Sequence, residues 1–232
     1  MFQSNKKILY AFFASLLLGV SGWGIFHHQA VPSEEKIFSH IYENNLWGKG
    51  SGPGSDPSKA QPYISLLQTV FENPKYKTIV DLGCGDWQLM EKIRIPHDKF
   101  YKGFDVVHSV INDNIQKHQR TNVQFYHIHE LKKFQNVTGD LLIVKDVLIH
   151  WPIKTILFFL QDILPHFKYA LLTEDYGSNS DKEMGSYSPL DLQAPPFSAQ
   201  NLTVLLDYQV PDHNGLKKRV WFYERAHLRI DK

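Results

Sequence analysis

The stretch Ile79-Val80-Asp81-Leu82-Gly83-Cys84-Gly85-Asp86-Trp87 decides the fold. A short, largely apolar run leads straight into Gly-Cys-Gly, which reads as a buried strand ending in a tight turn. Glycines at a strand end let the chain turn sharply and let a ligand touch the backbone. In an open α/β sheet, ligands bind beyond the carboxyl ends of the strands, where the strand order reverses. The third position of a Gly-x-Gly-x-x-Gly dinucleotide fingerprint falls on Gln88, and no Gly-Lys-Ser/Thr follows to make a phosphate loop.

Outward from this turn, strands and helices alternate. Upstream, Ile64, Leu67, Gln68 and Phe71 share one helical face that Pro74 ends. The strand is Thr78 to Leu82, and Trp87 to Ile93 is expected to be helical. Phe100 to Asp105 is a second strand, Ser109 to Gln119 a helix, and Val123 to Ile128 a third strand. Leu141 to Val144 is a fourth, followed by a helix from about Ile153 to Leu164 and a fifth strand from Tyr169 to Thr173. Strands alternating with helices imply a mostly parallel sheet covered on both faces. The ending differs: Asn201 to Tyr208 and Lys218 to Tyr223 flank Pro211-Asp212-His213-Asn214-Gly215, a turn that predicts an antiparallel hairpin. The expected fold class is α/β, a mostly parallel sheet flanked by helices and closed by that hairpin.

The chain has 232 residues, 43% hydrophobic and 21% charged, enough for one packed domain and too apolar for wholesale disorder. A net charge of +1 gives no global basic footprint for nucleic acid. The single cysteine, Cys84, excludes an internal disulfide and a cysteine-rich zinc site.

Three regions are expected: 1–29 as a membrane or signal segment, 30–60 as a connector, and 61–232 as the main domain. Lys6 and Lys7 precede 19 uncharged residues, Ile8 to Phe26. That is close to the roughly 20 that span a bilayer as a helix. One reading is an uncleaved single-pass anchor, the expected localisation. The other is a secretory signal with small residues around Gly19 to Gly22 as a cleavage region. The connector holds a short amphipathic helix beginning at Ser33 to Lys36. It then runs into Trp47 to Ser55, where Gly48, Gly50, Gly52 and Gly54 exclude regular structure. A flexible linker competes here with a packed segment, which Tyr42 and Trp47 favour.

Asp81 carries chemistry at the end of the first strand. A carboxylate there repels a pyrophosphate and suits a cationic or hydroxyl-rich ligand. Asp105, about 20 residues beyond the glycines and ending the next strand, can accept hydrogen bonds from ribose hydroxyls.

With these residues, Asp81-Leu82-Gly83-Cys84-Gly85 and Asp105, the chain resembles the class I (Rossmann-like) S-adenosylmethionine-dependent methyltransferases over about residues 62 to 225. The resemblance implies S-adenosyl-L-methionine as cofactor, with Gly83 and Gly85 against its amino-acid part and Asp105 on its ribose. It implies a polar group near the adenine after the third strand, here His129 or Glu130. It also implies that Val144-Lys145-Asp146-Val147-Leu148-Ile149-His150-Trp151 faces the methyl group, so that Asp146 and His150 are the candidate catalytic residues. A neutral imidazole is a suitable general base, while packing beside Trp151 is the plain alternative for His150. Trp47 to Ser55 and Leu192 to Phe197 are similar to stretches in a subset of bacterial methyltransferases of unassigned substrate. That likeness implies a loop folded over the cofactor and an acceptor pocket shaped by Pro195, Pro196 and Phe197.

The resulting expectation is methyl transfer to an unidentified acceptor. The alternative is a non-catalytic binding or scaffold protein that keeps the fold. Its support is the amino-terminal segment, which would carry the domain away from a cofactor made inside cells. His127 and His129 could form half of a metal site, but no Asp or His companion follows at ligand spacing, so no metal is expected. Lys217-Lys218-Arg219 reads as a solvated strand edge.

Overall fold

The computed structural model describes residues 33–211 and 217–226. The expected membrane or signal segment and the tip of the carboxyl-terminal hairpin lie outside these residues. Among the described residues no helix is long and apolar enough to cross a membrane.

Seven strands form one sheet: β1 (Thr78–Leu82), β2 (Phe100–Asp105), β3 (Val123–His127), β4 (Leu141–Lys145), β5 (Tyr169–Asp175), β6 (Leu202–Gln209) and β7 (Lys217–Glu224). Their order is β3-β2-β1-β4-β5-β7-β6. The first five are parallel, and β7 runs antiparallel to both β5 and β6. The sheet therefore reverses direction of winding between β1 and β4, and the glycine turn after β1 opens into that crevice.

Alternation along the strands builds two cores. Val80, Leu82, Leu142, Val144, Ala170 and Leu172 face one side, where Phe38 and Ile41 of α1 (Glu34–Glu43) and Ile156 of α4 (Ile153–Phe158) cover them. Ile79, Tyr101, Leu141, Ile143 and Leu171 face the other, under Tyr63, Leu67 and Phe71 of α2 (Gln61–Glu72). α3 (His108–His118) links β2 to β3. α1 is capped by Ser33, whose Oγ accepts from the Lys36 amide, and carries Glu34 and Glu35 in its first turn, where the helix dipole favours them.

Two expected helices come out differently. Between Trp87 and Ile93 there is only a single 3-10 turn at Met90–Lys92. Trp87 takes a left-handed φ of 61°, which no helix interior accommodates. Its ring instead packs edge-on against Tyr101 and Phe125, at centroid distances of 5.7 and 5.4 Å. Side-chain burial has won over local helical periodicity. The helix expected to reach Leu164 stays regular only to Phe158, then widens over Phe159–Ile163 and tightens at Leu164–His166 around Pro165.

The described part of the connector, 33–60, packs as part of the same compact unit as the sheet. Ile37, Tyr42 and Trp47 lie against the core beside Phe38 and Ile41.

Candidate active site

The cleft forms at the carboxyl ends of β1, β2 and β4 and is roofed by α1 and the loop after it. It encloses about 1110 Å³ including space open to solvent.

The floor is the turn after β1. Gly83 and Gly85 have φ of 75° and 55°, left-handed values that side chains resist. A Cβ on Gly83 would lie 2.3 Å from Val147 Cγ2, and one on Gly85 would lie 2.3 Å from Ser51 Oγ. The amides of Gly83 and Cys84 both donate to Phe104 O, at 2.8 and 3.0 Å, which ties the turn to β2. Cys84 follows without exposing a nucleophile: burial pushes its thiol well above the usual range, with Asp105 and Asp81 adding to the effect.

Two acids edge this floor. Asp81 is buried and accepts from Tyr101 Oη at 2.6 Å. Burial raises its carboxyl to about 7 against the opposing pull of that hydrogen bond. Asp105 Oδ2 accepts from the Gly85 amide at 3.0 Å, and Oδ1 from the Val107 amide at 2.9 Å. Burial raises it too, opposed by these backbone donors. A carboxylate has about four lone-pair sites, so Asp105 keeps acceptor capacity beyond these backbone amides.

The roof is held by a serine. Ser51 N and Oγ donate to Asp86 Oδ2 and Oδ1 at 3.1 and 2.9 Å, and Tyr42 Oη lies 2.8 Å from the same Oγ. Trp47, Ser51 and Ser55 line the cleft, so the glycine-rich loop does fold over this site.

The fourth edge follows β4. Asp146 has a φ of 56° and donates its amide to Thr173 O at 2.8 Å. Its carboxylate takes Lys145 Nζ at 2.5 Å and Lys218 Nζ at 2.7 Å. Burial alone would raise this carboxyl, but the two ammonium groups outweigh it and hold Asp146 far below the usual carboxylate range. Such an anion accepts protons poorly, so these surroundings suit Asp146 to holding charge in place better than to taking a proton. Lys218 reaches across from β7, where it also donates to Asp175 Oδ1 at 2.9 Å. The basic run is therefore not a solvated edge: Lys218 is 1% exposed, while Lys217 and Arg219, on alternate positions, pair with Asp207 outside.

His150 stacks on Trp47 with ring centroids 4.6 Å apart. Its Nδ1 faces Ser186 O at 3.2 Å, which makes Nδ1 the protonated nitrogen and leaves Nε2 as an acceptor. Burial lowers its pKa below the ordinary imidazole value, partly offset by the Ser186 carbonyl, so the ring is neutral at pH 7.

The remaining expected residues fall elsewhere. His129 and Glu130 are exposed and do not line the cleft; Ile128 and Leu131 line it on either side of them. The 3-10 turn starting at Leu131 directs that residue inward and leaves the polar pair at the surface. Pro195, Pro196 and Phe197 are also absent from the cleft lining, and Leu192 and Phe197 join the hydrophobic core instead. Conversely, Glu34, Tyr63 and Lys145 line the cleft and were not singled out by the sequence. Lys145 stood inside the quoted stretch after the fourth strand; the others gave no local signal.

No protein-family model matches the chain, and no curated protein matches it in sequence. Solved structures do match. Magnesium protoporphyrin IX methyltransferase (ChlM) from Synechocystis PCC 6803, with bound S-adenosylhomocysteine, aligns at a TM-score of 0.59 and 12% identity, over 83% of this chain and 98% of that one. The N-methyltransferase NodS from Bradyrhizobium japonicum WM9, with the same ligand, aligns at 0.58 and 12% identity, over 83% and 98%. The 16S rRNA methylase ArmA aligns at 0.50 and 19% identity, over 83% and 98%. The shared feature at these identities is the fold.

Proposed function

We propose that this chain, which has the class I S-adenosylmethionine-dependent methyltransferase fold, binds S-adenosyl-L-methionine and transfers its methyl group to an acceptor. The carrying observation is the glycine cradle: Gly83 and Gly85, both at left-handed φ, line the cleft after β1 and are flanked by Asp81 and Asp105 on adjacent strands. When bound, the cofactor supplies a methyl group on a sulfonium, an electrophile that needs only a correctly aligned lone pair.

The residues present fit that ligand. Gly83, Cys84 and Gly85 line the cleft, so a ligand there meets the turn after β1. Asp81 offers its carboxylate to a cationic amino-acid end, and Asp105 offers free lone pairs to ribose hydroxyls. Ile128 and Leu131 supply an apolar wall near Asp105. Trp47 and Ser51 close the roof and exclude water. At the fourth edge, neutral His150 Nε2 accepts the acceptor's proton, and ionised Asp146 favours the imidazolium that results. Most of the rate enhancement then comes from alignment.

The test is turnover. The full chain, given methyl-labelled S-adenosylmethionine and a cell extract as acceptor source, should produce S-adenosylhomocysteine and one labelled product. Cofactor binding without any label transfer across all extract fractions would leave a binding protein and refute the enzymatic reading.

A further inference from the structure

The sequence placed His127 and His129 two residues apart and found no third ligand nearby. The fold supplies one from 92 positions upstream. Glu35, in the first turn of α1, lies over the end of β3. Its Oε1 is 3.4 Å from His127 Nε2, and its Oε2 is 3.6 Å from His129 Nδ1. One ligand atom from each of the three residues falls within 4.8 Å of the others. The two imidazoles sit edge to face with centroids 4.1 Å apart.

We propose that Glu35, His127 and His129 form a divalent transition-metal site, of the zinc class, that ties α1 to the end of β3. A tetrahedral zinc ion with bonds of about 2.0–2.1 Å spaces its ligands about 3.4 Å apart. The two carboxylate–imidazole separations already match that spacing. The imidazole pair needs only side-chain rotation, and His129 is free to make it, with a side chain 62% exposed. Two imidazoles and one carboxylate select zinc-like ions over magnesium or calcium, which prefer all-oxygen sets. Water completes the fourth position.

The site has a definite cost. His127 Nε2 is 2.9 Å from Val106 O, so the metal-free ring donates there. Binding the ion at Nε2 gives up that bond and moves the ring proton to Nδ1. The site also has a definite place. Glu34, Phe38 and Tyr42 on the same helix line the cleft, so the ion would fasten the helix that forms the cleft wall. The site lies outside the cleft and is independent of whether methyl transfer occurs.

The experiment uses the full chain in mild detergent, stripped with chelator and titrated with Zn²⁺ alone or with Co²⁺ as a spectroscopic probe. One equivalent should bind, Co²⁺ should develop visible ligand-field bands, and the melting temperature should rise with Zn²⁺ concentration. Glu35→Gln and His127→Ala should each weaken binding by at least about 10–100-fold, the range seen even for outer-shell partners. Because Glu35→Gln is nearly isosteric, its melting temperature without metal should match the parent. The double variant His27→Ala/His28→Ala, which removes the other close histidine pair in the sequence, should bind like the parent. Uptake that survives both Glu35→Gln and His127→Ala, or no saturable uptake by the parent, would overturn the site.

Discussion

Replacing Lys218 with methionine removes a charge buried in the middle of a basic run. The side chain is 1% exposed and donates to two carboxylates, Asp146 at 2.7 Å and Asp175 at 2.9 Å. Their side chains are 15% and 2% exposed, so neither can recover its lost partner from bulk water. Asp146 keeps Lys145, and Asp175 keeps a hydrogen bond from Tyr187 Oη at 3.1 Å. Methionine preserves the stem volume, which confines the effect to charge. Breaking a buried ion pair from one side costs about 3–5 kcal/mol. In a domain of this size that lowers the melting temperature by roughly 6–20 °C, at about 2–4 °C per kcal/mol.

The pH dependence follows from the direction of the Asp146 shift. Its folded pKa is depressed, so its contribution to stability is present above the unfolded value of about 3.9 and is lost as pH falls toward the folded value. Without Lys218 the depression shrinks, and there is less to lose. The deficit of Lys218→Met should therefore be full at pH 7 and should narrow below about pH 4. Equilibrium urea unfolding of parent and variant at both pH values measures this. A deficit under about 0.5 kcal/mol at pH 7, the range of an ordinary surface change, would refute the buried cluster. So would a deficit that widens on acidification.

Gly83→Val should abolish cofactor binding, because its Cβ would meet Val147 Cγ2 at 2.3 Å and a φ of 75° adds strain; equilibrium dialysis with labelled cofactor checks it. Asp105→Asn should weaken S-adenosylmethionine binding by about 1–3 kcal/mol, by losing carboxylate acceptors, as read by calorimetry. Asp81, raised to about 7 by burial, must ionise to meet a cationic ligand, so cofactor affinity should rise with pH and level off above about 7; a flat profile from pH 6 to 8 contradicts that contact. Once an acceptor is known, His150→Ala should slow turnover by about 10²–10⁴-fold with little change in cofactor affinity, whereas a packing role would lower stability and spare the rate of the folded fraction.

What the sequence could and could not reveal follows from the range of the interactions. β1, β2 and the turn between Leu82 and Gly85 were legible because a short apolar run ending in glycines is a local signal. The closing hairpin was legible because its strands are β-rich and flank turn residues. Trp87 to Ile93 was misread because seven residues of mixed polarity fit a helix as well as a packed turn, and only the aromatic neighbours from β2 and β3 decide between them. Lys218 was misread because three adjacent basic residues look solvated. On a strand the middle one points opposite to its neighbours, and its partners lie 72 and 43 positions away. Asp81, Asp105 and His150 were found by position relative to the strands, and the fold brings all three to one cleft. His129 and Glu130 were placed by the same logic and missed the cleft, because the turn at Leu131 alternates which side chains face inward.

The most direct test of the central claim is calorimetric titration of the full chain with S-adenosylmethionine, S-adenosylhomocysteine and NAD under identical conditions. The glycine cradle flanked by Asp81 and Asp105 predicts saturable binding of both S-adenosyl ligands at one per chain. It predicts little or no binding of NAD, whose pyrophosphate would meet those carboxylates. Tight NAD binding with no heat from either S-adenosyl ligand would contradict it.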